Sequence, residues 1–413
     1  VADGVTIHAA IVDARPRVIA ALAGQCRDLD LADDGFADAA AALLALPPAQ
    51  HPANVAGWLY VAARRRLLDA LRRDQRQAAL LAREAVLEDD MADIIAFPDA
   101  IADDRLRLIF VCAHPAIAPD IRVALALRTI CGVAMERLAA AFLVPTATLY
   151  QRLTRAKAKI REAGIAFEVP ERRFWPERLE AVLTTLELGY AVAFADGAGA
   201  LDADLAPEVR RLAGLLVELV PDDPEVLGLA ALIELGESRR AARVDAGGAM
   251  VPLSQQNPAL WDDAAITRAR RLLDSAAALG HSGPRQILAA IHLTHARRKA
   301  DGCTDWTAVT ALYDLLMALR PGPAVATARA VALARQQGAA AGLAALDAIA
   351  LASVAHHRGW HSARGHLLAE LGQADEAAAA LGRALALTPP PAEAAYLAAT
   401  LAAQRRTGGQ RST

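Results

Sequence analysis

The side chains best suited to chemistry in this 413-residue sequence are histidines and arginines. His357 and His361 stand one helical turn apart with His366 and Glu370 following, and His292 and His295 form a second close pair. Imidazoles at this spacing share one helix face, but they hold a metal only where further ligands converge on it. On alanine-rich helices such pairs are more often solvated or packed, so no metal ligand is assigned. No GxxxxGKS or GxxxxGKT, GxGxxG, HExxH or GxSxG occurs, which removes the phosphate-cradling, dinucleotide, zinc-protease and nucleophile-elbow chemistries. The sequence therefore predicts no catalytic residue, no cofactor and no enzyme.

The arginines are organised differently. From His51 to Arg83, seven arginines stand against two acids, Asp69 and Asp74, although the whole chain has a formal net charge of −3. On a helical wheel Leu67, Leu68, Leu71 and Ala78 gather on one side of this segment, and Arg65, Arg72, Arg76 and Arg83 on another. A basic stripe suits a phosphate backbone, where each contact releases counterions. Trp58 and Tyr60, just after the proline-rich loop from Leu46 to Asn54, add flat faces able to stack on an exposed base. The plainer alternative is a solvated arginine face with Trp58 in the core.

A second basic helix follows Val144 and Pro145. Leu149, Leu153, Ala156 and Ile160 form its apolar stripe, while Thr148, Gln151, Arg152, Arg155 and Lys159 occupy a separate sector. Before it lies the segment from Met135 to Phe142 and a three-residue break, the spacing of a helix-turn-helix. Thr, Gln and Arg near such a helix's N-terminus are the groups that read base edges in a major groove.

Composition says what must position these helices. Only 4% of residues are aromatic, and 102 of the 413 are alanine, so the chain reads as all-α with close helix packing. The length exceeds one ordinary core. Five stretches are predicted: a helical domain over 1–83, an acidic linker over 84–104, a helix-turn-helix domain over 105–169, a long helical extension over 170–406, and a flexible tail over 407–413. The linker carries eight acids from Glu84 to Asp104 and no base. In the extension, Pro221, Pro321 and Pro389 end similar apolar helices at separations of 100 and 68 residues, the second being twice the tetratricopeptide period of about 34. Gly365, Gly372, Ala377, Leu381, Ala384 and Pro389 sit at the offsets of one such helix pair. The extension is thus expected to be an irregular tetratricopeptide-like array, with a generic helical bundle as the alternative. Cys26, Cys112, Cys131 and Cys303 show no CxxC spacing, which fits a reducing compartment. No apolar run approaches the roughly 18 residues of a bilayer span, so a soluble, cytoplasmic protein without membrane contact is expected.

Taken together these residues resemble the extracytoplasmic-function group of sigma factors, in the subclass with a long helical C-terminal extension. The segment from Arg27 to Ala39 is similar to the family's region 2.2, Pro52 to Arg73 to regions 2.3 and 2.4, and Cys112 to Arg128 with the following helix pair to region 4. The resemblance implies that core RNA polymerase and promoter DNA are the partners. It places Asp30, Leu31, Asp33, Asp34, Phe36 and Asp38 on the polymerase-facing helix. It places Asn54, Trp58, Tyr60, Arg65, Arg66, Arg72, Arg73 and Arg76 at the −10 element, and Thr148, Gln151, Arg152, Arg155 and Lys159 at the −35 element. The extension would regulate the factor or bind a protein or small molecule. Two other classes remain open: a tetratricopeptide-like adaptor, and a helix-turn-helix regulator without sigma activity. Gly35 and the alanines after it depart from the polar turn expected in region 2.2, and the segment from Leu186 to Phe194 matches an aromatic motif only loosely.

Overall fold

The computed structural model describes residues 4–26, 28–79, 108–142, 144–162, 172–195 and 206–411. The acidic segment 84–104 lies outside the described residues. Those described are helical throughout, with a single isolated bridge between Val244 and Met250, as the alanine-rich composition requires. Among them no helix is long and apolar enough to cross a membrane.

The chain divides into two compact units, 1–189 with 207–219, and 190–206 with 220–413. In the first, α1 (Gly4–Cys26), α2 (Leu29–Leu44) and α3 (Val55–Ala79) pack on one another. Asp28 caps α2 by accepting from the Asp30 and Leu31 amides at 2.8 and 3.2 Å, which satisfies donors the first turn leaves open. Gly35 lets α2 approach α3, because a Cβ there would stand 3.2 Å from the Ala63 carbonyl oxygen. The proline-rich loop ends α2 and forms one 3-10 turn over Pro48–Gln50. A second set of helices follows: residues 108–112, α4 (Pro119–Thr129), α5 (Met135–Ala141) and α6 (Thr146–Glu162).

α7 (Trp175–Ala195) and α8 (Ala206–Leu219) come next. The composition shift put the start of the extension at 170, yet most of both helices belongs to the first unit. Phe110 and Trp175 meet at 5.8 Å, Arg137 grips the Glu208 carboxylate with both terminal nitrogens at 2.8 and 3.3 Å, and Gly189 lies against Val123 and Val209.

The second unit is a run of helices that pack on their sequence neighbours and, for α9 with α11, on the helix one further along: α9 (Pro224–Glu237), α10 (Asp263–Ala278), α11 (Pro284–Ala296), α12 (Trp306–Leu319), α13 (Pro323–Gln337), α14 (Ala339–Asp347), α15 (Arg358–Glu370), α16 (Ala374–Ala386) and α17 (Pro391–Arg411). Small residues set the seams. A Cβ on Gly228 of α9 would fall 2.7 Å from the Gln286 amide nitrogen of α11, and one on Gly365 of α15 would fall 2.8 Å from Leu381 of α16. The backbone of α17 runs on to Arg411 through Gly408 and Gly409, into the segment expected as a tail, in keeping with the low cost of extending a helix already formed.

Several buried polar groups in this unit are paired across helices. The Glu225 carboxylate of α9 accepts from the Arg285 and Gln286 amides at 3.1 and 3.0 Å, capping α11 from outside. Arg239 donates to Nδ1 of His292 at 3.0 Å, so that nitrogen is unprotonated and the imidazole neutral. Burial first, then the neighbouring Arg239 charge, pushes His292 well below its ordinary value; burial, Arg239 and Arg298 push His295 down to about 4.

Gly228→Ala should destabilise the second unit by about 1–3 kcal/mol through overpacking against backbone, whereas Gly382→Ala, a helical site with nothing within 4 Å of the added methyl, should stabilise it by about 0.5–1 kcal/mol; thermal unfolding of the two variants measures both. Because the two histidines have depressed folded values, their contribution is complete above the unfolded value of about 6.5 and is lost as pH falls towards 4. Denaturant midpoints across that window should fall, and less steeply in His295→Gln.

Candidate nucleic-acid interface

α3 begins with a specific cap. Asn54 Oδ1 accepts from the Gly57 amide at 2.9 Å, and its carbonyl oxygen from the Trp58 amide at 3.1 Å. Asn54, expected to touch nucleic acid, therefore has a folding task as well. Leu59, Ala63 and Leu67 form the buried side. Trp58 and Tyr60 are half-buried, and Tyr60 receives a 2.6 Å hydrogen bond from Gln25. Arg65, Arg66 and Arg72 are exposed, Arg66 pairing with Asp38 at 3.1 Å. Arg73 and Arg76 lie on α3, but their side chains are outside the described residues. Leu68 departs from the apolar stripe expected of it: it is 36% exposed, and Val61 is 46% exposed. Outward apolar residues thus accompany the arginines, Leu68 among them, although periodicity placed Leu68 on the apolar side.

α6 follows α5 after a four-residue turn. Leu149, Leu153, Ala156 and Ile160 are its buried residues, the stripe expected from the sequence. Gln151, Arg152 and Arg155 are exposed and Thr148 is half-buried. Arg152 faces Asp120 at 3.7 Å, and Lys159 donates to the Ala116 carbonyl at 2.6 Å. Tyr150 was not anticipated; it is 62% exposed on the first turns of α6, and only its aromatic type among polar neighbours marks it in the sequence. The geometry offers two arginine-bearing helix faces within one compact unit.

Two of the residues expected on the polymerase-facing side of the acidic helix α2 are buried. Asp33 is buried, its carboxylate paired with Arg15 and lying 3.7 Å from Arg128. Phe36 is 2% exposed and lies under the Arg15 guanidinium at 5.0 Å. Both are core residues, because the face α2 turns towards α1 and α3 runs through them, and neither presents itself to a partner. Asp34 and Asp38 are exposed and Leu31 half-buried. With Gly35, Arg66, Leu67 and Asp69 these three line a shallow hollow of about 260 Å³. Asp30 pairs with Lys157 of α6 at 2.6 Å. Burial, and after it the charges of Asp33 and Asp30, hold the Asp34 carboxyl above its ordinary value, with Lys157 opposing.

The histidines considered for a metal do not converge. Nδ1 of His357 accepts from the Trp360 amide, Nε2 of His361 meets the Ala355 carbonyl, and His366 bridges the Ser362 carbonyl and the Tyr396 hydroxyl. Among the described residues no group of three His, Cys, Asp or Glu side chains is placed to hold a metal ion.

Removing a like charge beside Asp34 should lower its titration midpoint. We expect this in Asp30→Asn, read by carboxyl-carbon NMR, and a midpoint that stays put would show that burial alone sets it.

Residues 178–277 match a family of unknown function, DUF6596. No solved structure matches the chain. Over 398 residues the chain is 40% identical to an uncharacterized protein of Rhizobium meliloti (strain 1021), covering 95% of this chain and 94% of that one. An identity of that size over almost the full length of both is a family relationship, and the chain belongs to the family of that Rhizobium meliloti protein.

Proposed function

We propose that this chain is a sigma-type initiation factor, resembling the extracytoplasmic-function group, that directs core RNA polymerase to promoters and has no catalysis of its own. The observation that carries the reading is α6: a helix seated by four apolar residues after a short turn, with Gln151, Arg152 and Arg155 turned outward. In the same compact unit the capped start of α3 leads into an exposed arginine face. On this reading α6 reads the −35 element, and α3, from Trp58 and Tyr60 to Arg72 and beyond, engages and opens the −10 element. Core polymerase docks on the exposed part of α2, through Leu31, Asp34 and Asp38. Asp33 and Phe36 serve the fold instead. The protein then acts in the cytoplasm, where its template lies.

The second unit is, on this reading, a tetratricopeptide-like array that regulates the factor or holds a partner. The close crossing of Gly365 on Leu381 supports it, since a small residue against a large one is what an interlocked helix pair needs. The same observation favours a second reading, an adaptor whose N-terminal helices make protein contacts alone.

Run-off transcription with bacterial core polymerase on a promoter library separates the two. The sigma reading expects defined start sites from the full-length chain. It also expects Arg155→Ala to lose discrimination at one −35 position by about 1–3 kcal/mol, with other positions unchanged. Absent transcription together with absent core binding would leave the adaptor.

A further inference from the structure

The proposed DNA-reading helix and the proposed polymerase-facing helix are not independent in this fold. Lys157 of α6, with only 13% of its side chain exposed, donates to Asp30 of α2 at 2.6 Å. One turn further on, Arg161 donates to Asp28 Oδ2 at 3.2 Å, while Oδ1 of the same carboxylate caps α2. Deeper in the unit, Arg15 of α1 bonds the Asp33 carboxylate and the Thr129 carbonyl, and Arg128 of α4 approaches Asp33 from the other side. Four cations and three carboxylates therefore tie the segment 4–79 to the segment 108–162. The Arg15–Asp33 pair is buried and Arg128 half-buried beside it, whereas each outer pair has one member at least half exposed, Asp30 and Arg161, so the outer tier is weaker and more easily screened.

We propose that the outer pairs, Asp30 with Lys157 and Asp28 with Arg161, form an electrostatic latch that holds the α2–α3 and α4–α6 segments closed until a cationic partner surface docks on the acidic face of α2. The proposal rests on the proposed function for its consequence, because Asp30 lies on the face assigned to polymerase. A carboxylate paired with Lys157 is not free for a basic side chain from outside. A partner that takes Asp30 releases Lys157, and by linkage anything that draws α6 away raises the affinity of α2 for that partner. Asp34, exposed beside Asp30 and linked electrostatically to Lys157, gives the incoming surface a first point of attachment. Opening α6 would also free Lys157 and Arg161, on the helix that already presents Arg155, for phosphates.

The test is amide hydrogen exchange of the full-length chain, without polymerase or DNA. Lys157→Glu and, separately, Arg161→Glu should raise exchange in the first turn of α2 and the second half of α6 on the order of threefold to tenfold. The charge swap Lys157→Glu with Asp30→Lys should bring it back towards wild type. Salt raised from about 50 mM to about 500 mM should reproduce the effect in wild type and add little in Lys157→Glu. Arg161→Glu guards against a folding defect, since 58% of that side chain is exposed. Unchanged exchange in both single variants, or exchange that stays high in the swap, overturns the latch. Exchange decides it whatever run-off transcription says of sigma activity, so the two ideas fail separately.

Discussion

A charged group at the centre of a helical unit needs everything around it to be arranged for it, and Arg15 is that group here. Its residue is 9% exposed, and burial lowers the affinity of its guanidinium for a proton. Stripping a cation of water is costly unless an anion and further acceptors replace the lost solvation. Asp33 supplies the anion, the Thr129 carbonyl a second acceptor, and the Phe36 ring a negative face below. Gly132 completes the arrangement: its φ of +72° suits a residue without a Cβ, and a Cβ there would press on the Arg15 side chain at 2.8 Å. Two separate stretches of chain, one through Asp33 and Phe36 and one through Thr129 and Gly132, therefore converge on one side chain of α1, and the placement of α2 relative to α4 follows from it.

This dependence explains why acids of one helix have different duties. Asp28 caps, Asp30 pairs outward with Lys157, Asp33 is consumed inside, and Asp34 and Asp38 face solvent. Position around the helix, not residue type, assigns the role. The second unit solves the same problem with different groups, Glu225 serving the start of α11 and Arg239 serving His292. In both units a charged side chain joins elements distant in sequence.

Local periodicity made the α6 stripe legible: Leu149, Leu153, Ala156 and Ile160 repeat at helical spacing, and all four are buried. The all-helical character was equally legible from alanine content and the few aromatics. Leu68 was misplaced because the wheel averages over a whole helix, whereas only the narrow line through Leu59, Ala63 and Leu67 is buried. Asp33 and Phe36 were misread for a deeper reason. Their partners Arg15, Arg128 and Thr129 are remote in sequence, and nothing near an aspartate reveals an arginine delivered by another helix. The boundary between units was hidden in the same way, since Arg137 and Glu208 are 71 residues apart.

The small-residue seams of the second unit bear on how its stability varies with temperature. Where Gly228 and Gly365 bring backbones together, and Ala265, Ala269, Ala276, Ala377, Ala380 and Ala384 fill the interfaces, each buried residue removes little hydrocarbon from water. The heat-capacity increment of unfolding scales with the apolar area exposed. A seam of alanines and glycines therefore gives a smaller increment per residue than one of leucines, and a flatter stability curve, with cohesion that changes little between a cold and a warm cell.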